Sequence, residues 1–231
     1  MIIVVLGPPG AGKGTQCRLL AERLALPHVG TGDLLREAIA RQTPLGRLAQ
    51  PYLDRGELVP DETMVSLVRE RLLKPDAQTG AILDGFPRTV EQARALNRML
   101  SELGRSVDRV LYLRIPGEVV LDRIAGRYIC SKCGATYHVN SSPPKIAGRC
   151  DRCNGTLIQR PDDRRDVAQH RLVVYEAQTA PVVSFYRQEG KLIEIDGDRP
   201  VERILEDELE ALGSRESTPD PEGTETTWQR N

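Results

Sequence analysis

The chain has 231 residues, with 32 basic and 33 acidic side chains and a formal net charge of -1. This near-neutral balance argues against general binding to nucleic acid or to an anionic membrane surface. The amino-terminal stretch lacks the basic start and long apolar body of a signal peptide, and no apolar run could span a bilayer, so we expect one compact cytoplasmic fold without a membrane partner.

The first predicted strand, residues 2–6, is followed by a glycine-rich loop and then by an amphipathic helix. Glycines let the loop turn its N–H groups inward, and the helix start adds the positive end of its dipole, so the loop can enclose a phosphate chain. Lys13 supplies a mobile positive charge. A strict P-loop has Ser or Thr directly after this lysine, whereas here Gly14 precedes Thr15. We therefore expect a triphosphate site with little direct protein coordination of Mg²⁺.

Residues 30–59 are predicted to form a small helical insertion, bounded by turn residues. Thr31 or Asp33 could cap its first helix. Arg36 lies on that helix and is a candidate ligand-binding residue, although a lone arginine on an amphipathic helix is more often simply solvated.

A short apolar strand, residues 81–84, ends in Asp84. A carboxylate at the carboxyl end of a parallel strand, beside the strand of a P-loop, is placed to organise Mg²⁺ through bound water. A turn or capping role is the alternative. The neighbouring phosphate loop favours the metal role, and Arg88 follows at the start of the next helix.

Five short apolar runs alternate with helical patterns along the chain. This order predicts an open, five-stranded parallel sheet with helices on both faces, an α/β fold of the P-loop NTPase type. On the helix after the fourth strand, Arg123 and Arg127 are four residues apart and are expected to share one face. The strands are expected at residues 2–6, 28–29, 81–84, 109–114 and 192–195.

Two Cys-x-x-Cys pairs, separated by residues 134–149, predict a metal site in a reducing compartment. Four thiolates complete a tetrahedral coordination sphere, so the ion is expected to be a structural Zn²⁺. His138 lies between the pairs and could replace a ligand, although four cysteines leave no vacancy for it. Cys17 is expected to be a core-facing thiol. The four predicted ligands are Cys130, Cys133, Cys150 and Cys153.

Three stretches, residues 7–16, 31–36 and 84–89, stand in the order and spacing of adenylate kinases. Up to residue 213 the chain resembles the long bacterial type with a zinc-binding lid. This resemblance implies reversible phosphoryl transfer from MgATP to AMP, giving two ADP, by a monomer. The polar, aperiodic residues 214–231 are expected to be disordered. The implied division is a core of residues 1–29, 60–126 and 161–213, an AMP-binding domain at 30–59 and a lid at 127–160.

The resemblance also implies the residues of the nucleotide sites, in which arginines suit a doubly charged phosphate and a Gln amide suits a purine edge. For ATP these are Gly10, Ala11, Gly12, Lys13, Gly14, Thr15, Arg123, Arg127, Tyr137 and Gly197. For AMP they are Thr31, Arg36, Glu57, Leu58, Val59, Gly85, Arg88, Gln92, Arg160 and Arg171. For catalysis they are Lys13, Asp84, Arg88, Arg123, Arg160 and Arg171.

Two alternative functions fit parts of the pattern. A kinase for another nucleoside monophosphate would keep the same loops, although Thr31 and Gln92 favour AMP. A zinc-ribbon NTPase that binds nucleic acid would use the basic neighbours of the cysteines, Lys132, Arg149 and Arg152. The near-neutral charge balance argues against this second alternative.

Overall fold

The computed structural model describes residues 1–213, and the disorder predicted for residues 214–231 lies outside the described residues. The first half contains β1 (Ile2–Leu6), α1 (Lys13–Leu24), β2 (His28–Gly30), α2 (Thr31–Ala40), α3 (Pro44–Arg55), α4 (Asp61–Leu72), β3 (Ala81–Asp84), α5 (Val90–Glu102) and β4 (Arg109–Arg114). The second half contains α6 (Gly117–Ala125), β5 (Arg127–Cys130), β6 (Thr136–His138), β7 (Leu157–Ile158), α7 (Arg165–Val174), α8 (Ala180–Gln188), β8 (Leu192–Asp196) and α9 (Val201–Gly213). A 3₁₀ turn, Pro161–Asp163, precedes α7.

Five strands form one parallel sheet in the order β2-β3-β1-β4-β8. The prediction of a five-stranded parallel sheet is confirmed. Val5 and Gly30 both lie level with Asp84 of β3, so the carboxyl ends of the three neighbouring strands meet at one edge. This is the edge at which open α/β sheets bind their ligands.

Helices cover both faces of the sheet, as the sequence predicts. Alternate residues of β1 point to opposite faces, because side chains of a strand have a period of two. Val4 packs in a core with residues of α4, α5 and α8, whereas Ile3 and Val5 pack in a second core with residues of α1, α6 and α9. All five residues of β1 are buried, which explains its continuous apolar run.

The lid is a separate antiparallel sheet of three short strands in the order β6-β5-β7. Its apolar cluster contains five buried residues: Cys130, Ala135, Tyr137, Cys150 and Leu157. A cluster of this size buries too little surface to hold a fold by itself.

None of the helices in residues 1–213 combines the length and apolar character that a bilayer crossing requires.

The predicted side-chain cap of α2 is wrong. The helix begins at Thr31 with Gly30 as its N-cap residue, and no side chain caps it. The Thr31 hydroxyl instead donates to the carbonyl oxygen of Gly85 over 2.9 Å. Thr31 is therefore the first residue of the helix and faces the end of β3. Its hydroxyl hydrogen-bonds there and does not cap the helix.

The prediction that Arg123 and Arg127 share one helix face is also wrong. Helix α6 ends at Ala125, and Arg127 is the first residue of β5. The chain turns at Gly126, where a Cβ atom would lie 2.3 Å from Nε2 of His138. The close approach of this lid side chain excludes any larger residue and marks the point where the core passes into the lid.

Candidate active site

A cleft of about 750 Å³ lies at the carboxyl edge of the sheet, lined by the P-loop, by the α2–α3 insertion and by part of the lid. Its volume suits a ligand of nucleotide size. Every residue that the sequence analysis assigned to ATP or AMP lines this cleft, and so does Asp84. The four cysteines are not among the lining residues and form a separate group.

The phosphate loop takes its shape from glycines in the left-handed region. Gly10 has φ 81° and Gly12 has φ 87°, a conformation that disfavours other residues. At Gly10 a Cβ atom would also lie 3.0 Å from Cγ1 of Ile124. Helix α1 then begins at Lys13 without a side-chain cap. The N–H of Thr15 donates to the carbonyl oxygen of Gly12, so the N–H groups of Lys13 and Gly14 are the ones available to an anion.

Lys13 is folded back onto the loop. Its ammonium donates to the carbonyl oxygens of Gly7 and Pro8 over 2.7 and 2.8 Å. Burial, together with the charges of Arg88 and Arg171, lowers the pKa of Lys13 to about 8, while the charge of Asp84 opposes the shift. A phosphate group bound here would supply a counter-charge and favour the protonated form of Lys13.

Asp84 lies level with Gly30, and its Oδ2 is 3.2 Å from Nε2 of His28. Burial alone would raise the pKa of Asp84, but the hydrogen bond with His28 and the charge of Lys13 hold it below the usual value. The carboxylate therefore stays ionised and fits Mg²⁺, which prefers oxygen ligands and keeps several waters. A Cβ atom at Gly14 would lie 3.2 Å from Oδ2, so this glycine keeps the carboxylate accessible from the start of α1.

Polar groups that hydrogen-bond to one another form the wall of the cleft next to α2. The carbonyl oxygen of Gly85 accepts from the Thr31 hydroxyl and, over 2.8 Å, from Nε of Arg88. The Gln92 amide accepts from the backbone N–H of Arg88 and donates to Oδ1 of Asp61, each over 2.7 Å. Because an amide oxygen accepts two bonds and its nitrogen donates two, Gln92 keeps one position of each kind for a purine edge.

Arginines gather around the cleft and lower one another's pKa. Burial and the charge of Arg171 lower the pKa of Arg88 to about 10, and burial and the charge of Arg36 lower that of Arg160 to about 10. Burial lowers the pKa of Arg171 as well. All remain cations at neutral pH, so their mutual repulsion favours the binding of phosphate groups.

Two carboxylates just after the lid bind arginines on both sides of it. Asp163 is fully buried and binds both Arg127 and Arg171, the latter over 3.1 Å. Asp162 is 3.1 Å from the same nitrogen of Arg171. The buried carboxylate of Asp163 therefore orients both guanidiniums.

Two carboxylates at the cleft make three ion pairs that were not predicted from the sequence. Asp33 lies 2.6 Å from Nη2 of Arg36 and 3.5 Å from Nη2 of Arg160, so it bridges α2 to the hinge. Asp198 lies 2.5 Å from Nη2 of Arg123. The spacing of Asp33 and Arg36, three residues apart on a helix, was a usable signal. Nothing local joins Arg123 to Asp198, which are 75 residues apart.

The lid cysteines have the geometry of a tetrahedral thiolate site. Sγ of Cys130 is 3.4 Å from Sγ of Cys153, and Sγ of Cys133 is 3.5 Å from Sγ of Cys150. Zn–S bonds of about 2.3 Å place tetrahedral sulfurs about 3.8 Å apart, so the four residues fit Zn²⁺. The N–H groups of Lys132 and Cys133 donate to Sγ of Cys130, which favours the thiolate form.

Tyr137 lies between the cysteine site and the cleft. Its hydroxyl is 3.4 Å from Sγ of Cys150, and this hydrogen bond lowers the pKa of Cys150 to about 6. The same oxygen accepts from the N–H of Asp151 over 2.7 Å. His138 is not grouped with the cysteines, since its Nε2 lies 3.1 Å from the carbonyl oxygen of Asp122.

Comparison with known proteins identifies relatives over most of the chain. The family model for adenylate kinase matches residues 5–191. The chain is 52% identical over 205 residues to the adenylate kinase of Moorella thermoacetica, covering 89% of this chain and 94% of that protein. It is 49% identical over 212 residues to the adenylate kinase of Symbiobacterium thermophilum, with coverage of 92% and 98%. The adenylate kinase of Geobacter sp. strain M21 is 50% identical over 212 residues, with coverage of 92% and 99%.

Proposed function

The chain belongs to the adenylate kinase family, and on that premise we propose how the residues of its cleft divide the family's reaction among them. The reaction is the reversible transfer of the terminal phosphoryl group of ATP to AMP, giving two ADP. The observation that carries the proposal is the convergence of the phosphate loop and of eight arginines on one cleft: Arg18, Arg36, Arg88, Arg123, Arg127, Arg160, Arg171 and Arg199.

The donor, ATP, binds along the phosphate loop and under the lid. The uncapped start of α1 and the Lys13 ammonium hold its phosphate groups. Arg123, Arg127, Tyr137 and Gly197 complete the donor site. Family members use Mg²⁺, which neutralises phosphate charge in the reaction. Asp84 would hold that ion through water, because Gly14 leaves its carboxylate accessible.

The acceptor, AMP, binds against α2 and the end of β3. Arg36 and Arg88 hold its phosphate, and Gln92 and the backbone of residues 57–59 and Gly85 surround its nucleoside. Support comes from the rigid hydrogen bonds of Thr31 and Gln92, which fix the wall before the ligand arrives. In this arrangement the attacking phosphate oxygen lies in line with the transferred group.

Charge stabilisation supplies most of the catalysis, and no side chain is required as a general base. Arg88, Arg123, Arg160 and Arg171 surround the transferred group together with Lys13. Closure of the lid over the cleft excludes water, which would otherwise accept the phosphoryl group and waste ATP. The proposed division is a core of residues 1–29, 60–126 and 161–213, an AMP-binding domain at 30–59 and a lid at 127–160.

The four lid cysteines hold a structural Zn²⁺ in this proposal. Four thiolates leave no open coordination position, so the ion takes no part in the chemistry and replaces the apolar core that the lid lacks. Because such a site needs reduced thiols, we propose a cytoplasmic protein. The net charge of -1 argues against binding to nucleic acid, and a monomer is what the resemblance to the family implies.

Two alanine variants test the division of the cleft. Arg36→Ala should raise the KM for AMP by about 10- to 100-fold, the loss expected for a hydrogen-bonded charge pair, and leave the KM for ATP nearly unchanged. Arg123→Ala should raise the KM for ATP and lower kcat, with little effect on the KM for AMP. Initial rates with each nucleotide varied in turn measure both constants.

Arg41→Ala is the matched control for these variants. Arg41 follows α2, pairs with Glu37 over 2.7 Å and is exposed, so its loss should change neither KM. Equal effects of Arg36→Ala on both nucleotides, or an effect on ATP alone, would show that the two sites are assigned to the wrong sides of the cleft.

A further inference from the structure

Beneath the phosphate loop lies a second group of metal-ligating side chains, separate from the lid cysteines. Sγ of Cys17, Nε2 of His28 and a carboxylate oxygen of Asp84 all lie within 4.8 Å of one another. They come from three elements, α1, β2 and β3, that pack together below the loop. The proposed phosphoryl transfer uses the carboxylate, gives the imidazole only its hydrogen bond to that carboxylate, and leaves the thiol without a role.

The backbone explains why the three side chains meet. Cys17 lies one helical turn after Lys13 and so faces the same side of α1. Gly30 pairs with Asp84, and His28 is two residues earlier on the same face of the adjacent strand. Cys17 is fully buried, whereas the side chains of His28 and Asp84 are each 16% exposed. Asp84 lines the cleft, so the group is open to the cleft through this carboxylate.

The distances are close to those that a metal ion imposes. Bonds of about 2.0 to 2.3 Å to oxygen, nitrogen and sulfur place tetrahedral ligand atoms about 3.4 to 3.7 Å apart. His28 and Asp84 are already 3.2 Å apart, so only the thiol has to approach, by roughly 1 Å through rotation of its side chain. The Lys13 ammonium does not lie among the three ligand atoms, since it donates to two carbonyl oxygens of the loop.

We propose that Cys17, His28 and Asp84 form an inhibitory site for a divalent cation of the Zn²⁺ type, with the fourth coordination position facing the cleft. A thiolate, an imidazole and a carboxylate are the ligand set that Zn²⁺ accepts, whereas Mg²⁺ avoids sulfur and nitrogen. The Cys17 thiol releases its proton to solvent as the S–Zn bond forms. The thiolate and carboxylate then balance the charge of the ion, and a water or phosphate oxygen completes the sphere.

Inhibition follows from the competition for one carboxylate, and this part rests on the proposed role of Asp84 in holding Mg²⁺ through water. An ion bound to Asp84, His28 and Cys17 removes that carboxylate from the magnesium waters. Inhibition by Zn²⁺ should therefore weaken as Mg²⁺ is raised.

The direct test is a metal count that does not depend on activity. The full chain is equilibrated with buffered free Zn²⁺, freed from loosely bound ions by gel filtration in the same buffer, and analysed by atomic emission. We expect two Zn²⁺ per wild-type chain and one per chain for Cys17→Ala and for His28→Gln. His170→Gln, which removes an exposed imidazole elsewhere, should keep two. One ion per wild-type chain, or two in Cys17→Ala, would overturn the proposal.

Measurements of activity with Mg²⁺ and with added Zn²⁺ distinguish a failure of this proposal from a failure of the proposed function. Cys17→Ala should keep its activity with Mg²⁺ and should lose at least 10-fold of its sensitivity to Zn²⁺. If a second ion binds without inhibiting, the metal site is confirmed, but its inhibitory effect and the proposed role of Asp84 in catalysis are wrong. The retained lid ion and the Mg²⁺-supported activity show that the variant has folded.

Discussion

At the scale of single residues, Lys13 shows how burial prepares a site for its ligand. Burial lowers its pKa to about 8, although the ammonium donates to two carbonyl oxygens. The negative charge of a bound triphosphate favours the protonated form and raises the pKa again. Below the lowered pKa the lysine is charged with or without ligand. Above it, the free protein has lost the proton and must regain it when ATP binds.

ATP binding should therefore take up a proton in mildly alkaline solution. At about pH 9, one unit above the lowered pKa, we expect uptake that approaches one proton per ATP bound, and far less at about pH 7. Isothermal titration in buffers of different ionisation enthalpy measures this number. Lys13→Arg provides the comparison, because a guanidinium does not titrate in this range. Equal uptake by this variant would show that another group binds the proton.

At the scale of elements, the proposed lid metal would stabilise a segment that has only a small apolar cluster of its own. Its five-residue apolar cluster includes two of the metal ligands, Cys130 and Cys150, so removal of the ion also disrupts the cluster. The sheet of β5, β6 and β7 should then unfold, while the central sheet with its two large cores remains.

Limited proteolysis tests this difference between lid and core. After strong chelation, trypsin should cut the lid at least 10-fold faster, at exposed basic residues such as Lys132 and Arg149, and added Zn²⁺ should reverse the effect. Cys133→Ala should be cut without chelation, whereas Cys17→Ala should resist until the metal is removed. Mass spectrometry locates the cuts. A lid that resists trypsin after complete loss of metal would contradict a structural role for the ion.

Local pattern explains which elements were predictable. The strand Ile2–Leu6 and the helix from Lys13 follow from an apolar run and a glycine loop, and both are confirmed. The lid strands were not predicted, because Leu157–Ile158 and its neighbours are short and are held by pairing with distant residues. The prediction that α6 continues through Arg127 was wrong for a related reason. The helix ends at Ala125, and the lid residue His138 lies against Gly126.

At the scale of the whole molecule, the residues that the sequence assigned to the nucleotides lie together, but several ion pairs among them were not predicted. The residues named for both nucleotides line one cleft because parallel strands bring their carboxyl ends together. Asp33, Asp198 and His28 escaped prediction as partners, since their contacts join segments that are remote in the chain. Composition alone gives no access to such pairs.

The whole arrangement requires that phosphoryl transfer depend on AMP as acceptor. In the proposed function the core positions ATP, the α2–α3 insertion positions the acceptor, and the lid excludes water. A donor without an acceptor should therefore react slowly, and an acceptor with another base should fit poorly against Thr31 and Gln92.

The most direct test supplies MgATP with AMP, UMP, CMP, GMP or no acceptor, and follows every nucleotide by chromatography. We predict rapid formation of two ADP with AMP, rates at least 100-fold lower with the other monophosphates, and negligible hydrolysis without an acceptor. Preference for another monophosphate would place the error in the acceptor wall. Fast hydrolysis without an acceptor, above all if nucleic acid raised it, would contradict the kinase account.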